Sequence, residues 1–203
     1  MKTLSGLFAL LFVFSCVTLH EDRHATYEFS SSDQHKLLNH LTKNTEVIYR
    51  NQDNAQTVFT ITDALVSENN VNDAPMFGDV TLHLQQKKIY LSSPAHGSLT
   101  YTFLQRPHDY NQAFDSAPKK VSNYLQGTVS MIKSKASGHV FHFTEQTQTF
   151  TANGVTYSDV FTVQSPDPTP YPNGLSIIRF YYDYKNGVIG FDDSDGKEWR
   201  LVP

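Results

Sequence analysis

The chain has 203 residues and a formal net charge of −4 at pH 7, from 16 basic and 20 acidic side chains. The basic residues are dispersed, which argues against nucleic acid as a partner, because phosphate backbones are bound by clustered Lys and Arg. The length suits one hydrophobic core that buries roughly 70 % of the surface exposed by the unfolded chain. We therefore expect a globular protein that does not bind nucleic acid.

The chain begins with the pattern of an export signal. Lys2 is followed by a short, mostly apolar run from Leu4 to Ser15. A positive start before an apolar run too short for a transmembrane helix is typical of a signal peptide. We predict that residues 1–15 are a signal peptide and that the protein is exported.

The only cysteine of the chain, Cys16, follows this run directly. The sequence Val13-Phe14-Ser15-Cys16 resembles the lipobox of bacterial lipoproteins, which implies a diacylglyceryl group on Cys16 and the membrane as a partner. The alternative is ordinary cleavage that discards Cys16. Either way the rest of the chain forms no disulfide, which favours the bacterial cell envelope, in the outer membrane or the periplasm, over an animal extracellular fluid.

The segment after Cys16 is polar, and we interpret residues 16–32 as a spacer before a β-rich domain at 33–203. Two short helices are predicted in that domain. Ser32 and Asp33 can cap the first, which places Leu37, Leu38 and Leu41 on one face. Ser116 can cap the second, with Pro118 in its first turn, a face of Val121, Tyr124 and Leu125, and an end at Gly127.

Short runs of β-branched and aromatic residues between turn residues predict strands elsewhere. Asn153-Gly154 favours a two-residue hairpin turn, because both residues tolerate positive φ. The fold class is therefore α+β: a single domain dominated by a curved antiparallel β-sheet with one or two short helices. The predicted strands are 45–49, 57–62, 80–84, 88–91, 100–104, 128–132, 140–143, 149–152, 155–163, 177–184 and 187–202, the last folded into a hairpin.

Two segments allow a functional and a structural interpretation. Residues 165–174 alternate proline with other residues, which indicates a stiff connection between strands or a docking motif. Residues 192–196 (DDSDG) offer carboxylates on a tight turn, as a calcium loop does. No acid follows where an EF-hand has its last ligand, so we interpret this segment as the turn of the final hairpin.

No catalytic residue, metal ligand or cofactor is predicted. The nine histidines are scattered, and the pair His139 and His142 would point to opposite faces of a strand. The motifs of nucleophilic catalysis and of zinc enzymes are missing from the sequence. A Ser/His/Asp triad assembled in space remains an alternative, because such triads are defined by geometry.

Aromatic residues are numerous, with 11 Tyr and 14 Phe, and they are concentrated at residues 180–184 (FYYDY). Alternation would place Phe180, Tyr182 and Tyr184 on one face of a strand, and Tyr181 with Asp183 on the other. These side chains either pack within the sheet, as aromatic residues commonly do in strands, or form a platform for sugar, peptide or lipid.

The C-terminal third contains the segments 150–160 (FTANGVTYSDV), 187–191 (GVIGF) and 195–201 (DGKEWRL) besides the paired Tyr181 and Tyr182. This part of the chain resembles uncharacterised bacterial envelope lipoproteins with a β-rich domain. The resemblance implies a curved antiparallel sheet, sometimes backed by a helix, and no catalytic residues. We expect a non-catalytic module that binds an apolar or polymeric ligand or an envelope partner; the alternative is a secreted hydrolase with a spatially assembled site.

Overall fold

The computed structural model describes residues 22–73, 79–131, 139–142, 146–164 and 177–203. The predicted signal peptide, Cys16, the proline-rich segment 165–174 and His20 lie outside these ranges. Within them the chain forms a single domain dominated by one antiparallel sheet, with one α-helix, which confirms the predicted antiparallel, single-domain architecture.

The described residues form twelve strands and one α-helix, with a single turn of 3₁₀-helix at Gln34–Lys36 between the first two of these strands. They are β1 (Arg23–Tyr27), β2 (Glu46–Arg50), β3 (Gln56–Asp73), β4 (Val80–Ser93), β5 (Gly97–Pro107), α1 (Tyr110–Ser116), β6 (Asn123–Met131), β7 (His139–His142), β8 (Gln148–Ala152), β9 (Val155–Gln164), β10 (Ile177–Asp183), β11 (Gly187–Asp193) and β12 (Glu198–Leu201).

Most neighbouring strands in the sheet are consecutive in the chain, and the sheet is joined in the middle by the first and last parts of the domain. Its order is β7-β6-β5-β4-β3-β2-β12-β11-β10-β9-β8, so the last strand, β12, pairs with β2. The short β1 adds in parallel to the beginning of β4, with Arg23 opposite Val80 and Tyr27 opposite Leu84. Within the described ranges, β7 and β8 are consecutive strands that do not pair, and they form the two edges of the open sheet.

One face of the sheet encloses the main core. Two tyrosine hydroxyls show how far the sheet bends, because both reach Val188 of β11. Tyr49 of β2 donates to the Val188 carbonyl oxygen (2.8 Å), and the Tyr101 hydroxyl of β5 accepts from the Val188 N–H (3.0 Å). Within β11, only Gly190–Asp192 pair with β12, so the two hydroxyls bond to a residue of β11 that β12 does not reach. Burial raises the pKa of both tyrosines, which therefore remain protonated.

Among the described residues, two smaller apolar clusters lie outside the main core. Strand β4 changes the face that it buries: Leu82 and Leu84 pack with β1 and α1, whereas Ile89 and Leu91 belong to the main core. The second cluster gathers Tyr157, Tyr181 and their neighbours beside the β8–β9 hairpin. The tip of this hairpin is fastened to β12, because Asn153 donates its amide to the carbonyl oxygens of Arg200 and Leu201.

The first predicted helix is only one 3₁₀ turn. Leu37, Leu38 and Leu41 are buried in the main core as their apolar character indicates. Leu38 has a φ of +49°, a left-handed conformation that an α-helix cannot contain. The three leucines therefore join the core from an irregular segment.

The second helix prediction, from Ser116 to Gly127, is wrong. The α-helix lies before it, at Tyr110–Ser116, and its N-cap is Asp109, whose carboxylate accepts from the Gln112 N–H (3.2 Å). Ala117 is extended, with ψ 138°, because a residue before proline avoids the helical region. Pro118 thus ends a helix, and the residues expected to continue it form β6 against β5.

Two other expectations can be compared directly with the strands. Asn153 and Gly154 have φ of +46° and +82°, which confirms the predicted turn between β8 and β9. Residues 23–27, which the sequence places in a polar spacer, form β1 instead, and Ala25 and Tyr27 are buried. This part of the chain therefore belongs to the sheet.

Candidate functional site

A cleft of about 440 Å³, lined by both polar and apolar surface, opens where the 3₁₀ turn meets strands β9 and β10. The leucines after the 3₁₀ turn anchor that turn to the core, which fixes one wall of the cleft. The start of β9 and the turn between β10 and β11 form the other walls. The lining residues are His35, Lys36, Thr156, Tyr157, Ser158, Asp159, Asp183, Tyr184, Lys185 and Asn186.

Asp183 is the buried acid of this cleft, with 5 % of its surface exposed. Its Oδ1 accepts all three of its hydrogen bonds: from the N–H of Lys185 (3.0 Å), the N–H of Asn186 (2.8 Å) and the side-chain amide of Asn186 (2.6 Å). Among the described residues, Oδ2 has no hydrogen-bond donor. This oxygen is not among the buried polar atoms that lack a partner, so solvent reaches it and it can accept a hydrogen bond from a bound molecule.

Two tyrosines stand beside this carboxylate in the cleft lining. Tyr157 is largely buried, and the pKa of its hydroxyl is raised by burial and by the negative charge of Asp183. Tyr184 is partly buried against the main core. Tyrosine rings offer an apolar face together with a polar hydroxyl, a combination frequent in binding sites.

The cleft also contains a histidine, a serine and an aspartate, the residue types of a catalytic triad. Ser158 donates its hydroxyl to Asp159 Oδ2 (3.0 Å). A nucleophilic serine instead requires a hydrogen bond to a base, usually a histidine. In the described part of the chain, no hydrogen bond connects His35 with Ser158, Asp159 or Asp183.

The segment 192–196 forms the turn of the final hairpin, between β11 and β12, as predicted. Asp193 Oδ1 accepts from the N–H groups of Asp195 (2.9 Å) and Lys197 (3.0 Å), and its Oδ2 accepts from the indole N–H of Trp199 (2.7 Å). Both oxygens of this carboxylate are occupied by the protein itself, which leaves little capacity for calcium.

The aromatic run at residues 180–184 divides between two faces as its alternation predicts. Phe180 and Tyr182 are buried in the main core, so they present no surface to a ligand. Tyr181 lies on the other face, where its ring stacks on Phe150 at a centroid distance of 4.2 Å and Arg200 covers both rings. The Tyr181 hydroxyl donates to Asp192 (2.9 Å), so this face is held together by its own contacts.

The fold brings together two histidines that no pattern in the sequence connects. His24 of β1 and His83 of β4 lie 59 residues apart in the chain, and their nearest ring nitrogens are 3.1 Å apart. The local sequence carries no signal for this pair, because β1 is added to the sheet by a non-local parallel pairing. The ranges described contain no group of three or more His, Cys, Asp or Glu residues positioned for a metal ion.

Within those ranges, no helix combines the length and the hydropathy needed to cross a membrane. The chain was compared with models of protein families, with curated proteins and with solved structures, and none of the three comparisons gave a match.

Proposed function

We propose that the protein is an exported, non-catalytic binding module of the bacterial envelope, and that the cleft beside Asp183 holds a polyhydroxylated ligand such as a segment of a glycan. The observation that carries this proposal is the carboxylate of Asp183: it is buried, it is fixed by three hydrogen bonds to one oxygen, and its second oxygen lacks a donor among the described residues. Hydroxyl groups are suitable donors for that oxygen.

The composition of the lining supports an uncharged ligand. Asp159 and Asp183 are matched by Lys36 and Lys185, so neither sign of charge dominates the cleft. The rings of Tyr157 and Tyr184 can contact the C–H groups of a sugar ring, while the carboxylate, amide and ammonium groups exchange hydrogen bonds with its hydroxyls. The cleft is therefore the proposed ligand site instead of the strand face of Phe180 and Tyr182, because those two side chains are packed in the core.

Calorimetry with soluble oligosaccharides (tetramers of glucose in two linkages and of N-acetylglucosamine) tests the proposal. We expect one of these probes to bind wild-type protein, and Asp183→Asn to weaken it at least about tenfold, because a hydrogen bond to a charged group contributes roughly 1.5–3 kcal/mol. The matched control is Asp195→Asn, which removes an acid from the neighbouring hairpin turn outside the cleft. Absence of binding to all probes, or equal loss in both variants, would overturn the proposal.

A secreted hydrolase is the second candidate, because His35, Ser158 and Asp159 line the same cleft. Release of nitrophenol from nitrophenyl esters and glycosides measures this activity directly. Hydrolysis that is lost in both His35→Ala and Ser158→Ala would replace the binding module by an enzyme. Wild-type protein without hydrolysis supports the non-catalytic proposal.

The proposal includes export and a lipid at Cys16. Expression with labelled palmitate in a bacterial host is expected to label the wild type and not Cys16→Ser. Equal labelling, or a mature N-terminus beyond Cys16 by mass spectrometry, would refute the anchor and leave the ligand site unaffected.

A further inference from the structure

Three strands bring together four polar side chains, none of which lines the cleft. His83 lies on β4, His24 on the parallel neighbour β1, and Glu68 and Asn70 on the antiparallel neighbour β3. The Nε2 atom of His83 is 3.1 Å from Nδ1 of His24. The other nitrogen of His83, Nδ1, is 3.1 Å from Glu68 Oε2 and 3.0 Å from Asn70 Oδ1.

These contacts determine the proton position on His83. The Glu68 carboxylate accepts hydrogen bonds and cannot donate one, so Nδ1 of His83 carries the proton. In the neutral ring, Nε2 then has no proton, and its lone pair is directed at His24. A nitrogen of His24 in its turn supplies either an N–H donor or a second lone pair at the same place.

A histidine whose one nitrogen donates to a carboxylate and whose other nitrogen offers a lone pair is arranged as metal-binding histidines are. We propose that His24 Nδ1 and His83 Nε2 bind one divalent transition-metal ion of the zinc or nickel type, with Glu68 orienting His83. Imidazole nitrogens are preferred ligands of these ions.

The separation of the two nitrogens suits this ion. Zinc–nitrogen bonds are about 2.0–2.1 Å long, so two nitrogens 3.1 Å apart enclose an angle of about 100° at the ion, near the tetrahedral value. The ion lies off the line that joins the nitrogens, so each lone pair has to turn by about 40° from that line to meet it. His24 is exposed, so its ring can turn and water can complete the coordination.

The site involves none of the residues that line the cleft, so it is independent of the glycan proposal. Its two protein ligands come from strands separated by most of the first half of the domain. An ion shared between them would link β1, the first of the described strands, to β4.

Titration calorimetry of tag-free protein with zinc chloride and with nickel chloride tests the site. We expect one ion per chain, at least a tenfold loss of affinity in His24→Ala and in His83→Ala, and about a tenfold loss in Glu68→Gln through the orientation of His83. Magnesium chloride should not bind, because magnesium prefers oxygen ligands. The matched control is His108→Ala, which removes a histidine that packs on Tyr124 at another position and should bind as wild type.

Nitrogen-15 spectra of the imidazole rings provide a second measurement that does not depend on variants. Zinc should shift the signals of His24 Nδ1 and His83 Nε2, while His83 Nδ1 keeps its proton. Shifts spread over all histidines, affinity unchanged in His24→Ala and His83→Ala, or the same loss in His108→Ala would overturn the proposal. Circular dichroism of each variant establishes that the fold is retained.

Discussion

The last two hairpins contain the same turn chemistry with two different outcomes. Asp183 ends β10 and Asp193 ends β11, both are buried, and each uses Oδ1 to accept backbone N–H groups of its own turn. They differ at Oδ2. Oδ2 of Asp193 accepts a hydrogen bond from the indole N–H of Trp199. Oδ2 of Asp183, a residue that lines the cleft, receives no hydrogen bond from the described residues.

The difference separates a structural carboxylate from one available for binding. The hydrogen-bonding capacity of Asp193 is used within the domain, so its burial contributes to the stability of the final hairpin. Asp183 holds its turn with one oxygen, and we propose that the other accepts a hydrogen bond from a ligand. Burial alone does not distinguish the two residues; only the count of partners at each oxygen does.

Replacement of each acid by asparagine is the strongest test of this comparison. In Asp193→Asn the new amide group faces either the indole N–H or the turn N–H groups, which are all donors, so we expect a loss of about 2–4 kcal/mol in the free energy of unfolding. In Asp183→Asn the side-chain oxygen can still accept the N–H groups of the turn, and the new NH₂ group faces the cleft. The loss in the free energy of unfolding should therefore stay below about 1 kcal/mol. Urea unfolding measures both, and equal losses would contradict the assigned roles.

The glycines that follow the two acids provide a second matched pair. Gly187 and Gly196 have φ of +81° and +76°, so alanine is strained at either position. A Cβ at Gly196 would meet no atom within 4 Å, but at Gly187 it would lie 3.0 Å from Tyr101 Oη. We expect losses of about 1 kcal/mol for Gly196→Ala and about 2 kcal/mol or more for Gly187→Ala, again from urea unfolding.

The reverse order for the two glycine variants would show that the Tyr101 side of β11 adapts without cost. Because Tyr101 also accepts the Val188 N–H, such adaptation would weaken the argument that the β10–β11 turn is held rigidly beside the cleft.

The local sequence predicts the turns correctly, but it does not predict which strands pair with each other. The turn at Asn153-Gly154 and the final hairpin were predicted because their signals lie within a few residues. Strand β1 was missed, since RHATY has no clear alternation and its partner β4 begins more than 50 residues later. The polar second half of β3 was missed for the same reason: its pairing with β4 makes it a strand, not its composition.

The cleft and the histidine pair also depend on distant parts of the chain. His35 and Asp183 line one cleft although 148 positions separate them, and no local pattern connects them. An acid at a strand end before a glycine turn occurs at both Asp183 and Asp193, so that signal finds two turns and does not tell which one faces a ligand. The misplaced helix at Ser116 has a different cause, because Pro118 suits either the first turn of a helix or the position just after its end.

The pH dependence of stability tests the environment on the Asp193 side. His96 is buried against Trp199 at a ring centroid distance of 4.9 Å, and its Nδ1 contacts the Thr57 hydroxyl (2.9 Å). Burial lowers the pKa of His96 below 6.5, and the negative charge of Asp193, the titratable group acting on it, opposes this shift in part.

The unfolded chain therefore binds a proton at His96 at a higher pH than the folded protein does, so stability falls as pH decreases below 6.5, by at most about 1.4 kcal/mol per pH unit. His96→Asn keeps a polar atom near Thr57 and removes the titration. Urea unfolding between pH 7.5 and 5.5 should give a shallower decline for this variant than for the wild type. Parallel declines would mean that His96 titrates as it does in the unfolded chain.

The smallest expected effect is electrostatic and is confined to the Asp183 side. The pKa of Tyr157 is raised first by burial and second by the charge of Asp183. Asp183→Asn should therefore lower the pKa of Tyr157 towards 10 without reaching it, because the burial remains, whereas Asp195→Asn should leave it unchanged. Absorbance at the tyrosinate band against pH, with Tyr157→Phe subtracted to isolate one of the 11 tyrosines, measures the shift. An unchanged Tyr157 in Asp183→Asn would indicate that the carboxylate does not act on the tyrosine across the cleft, and would remove the electrostatic link between the two groups assigned to one ligand.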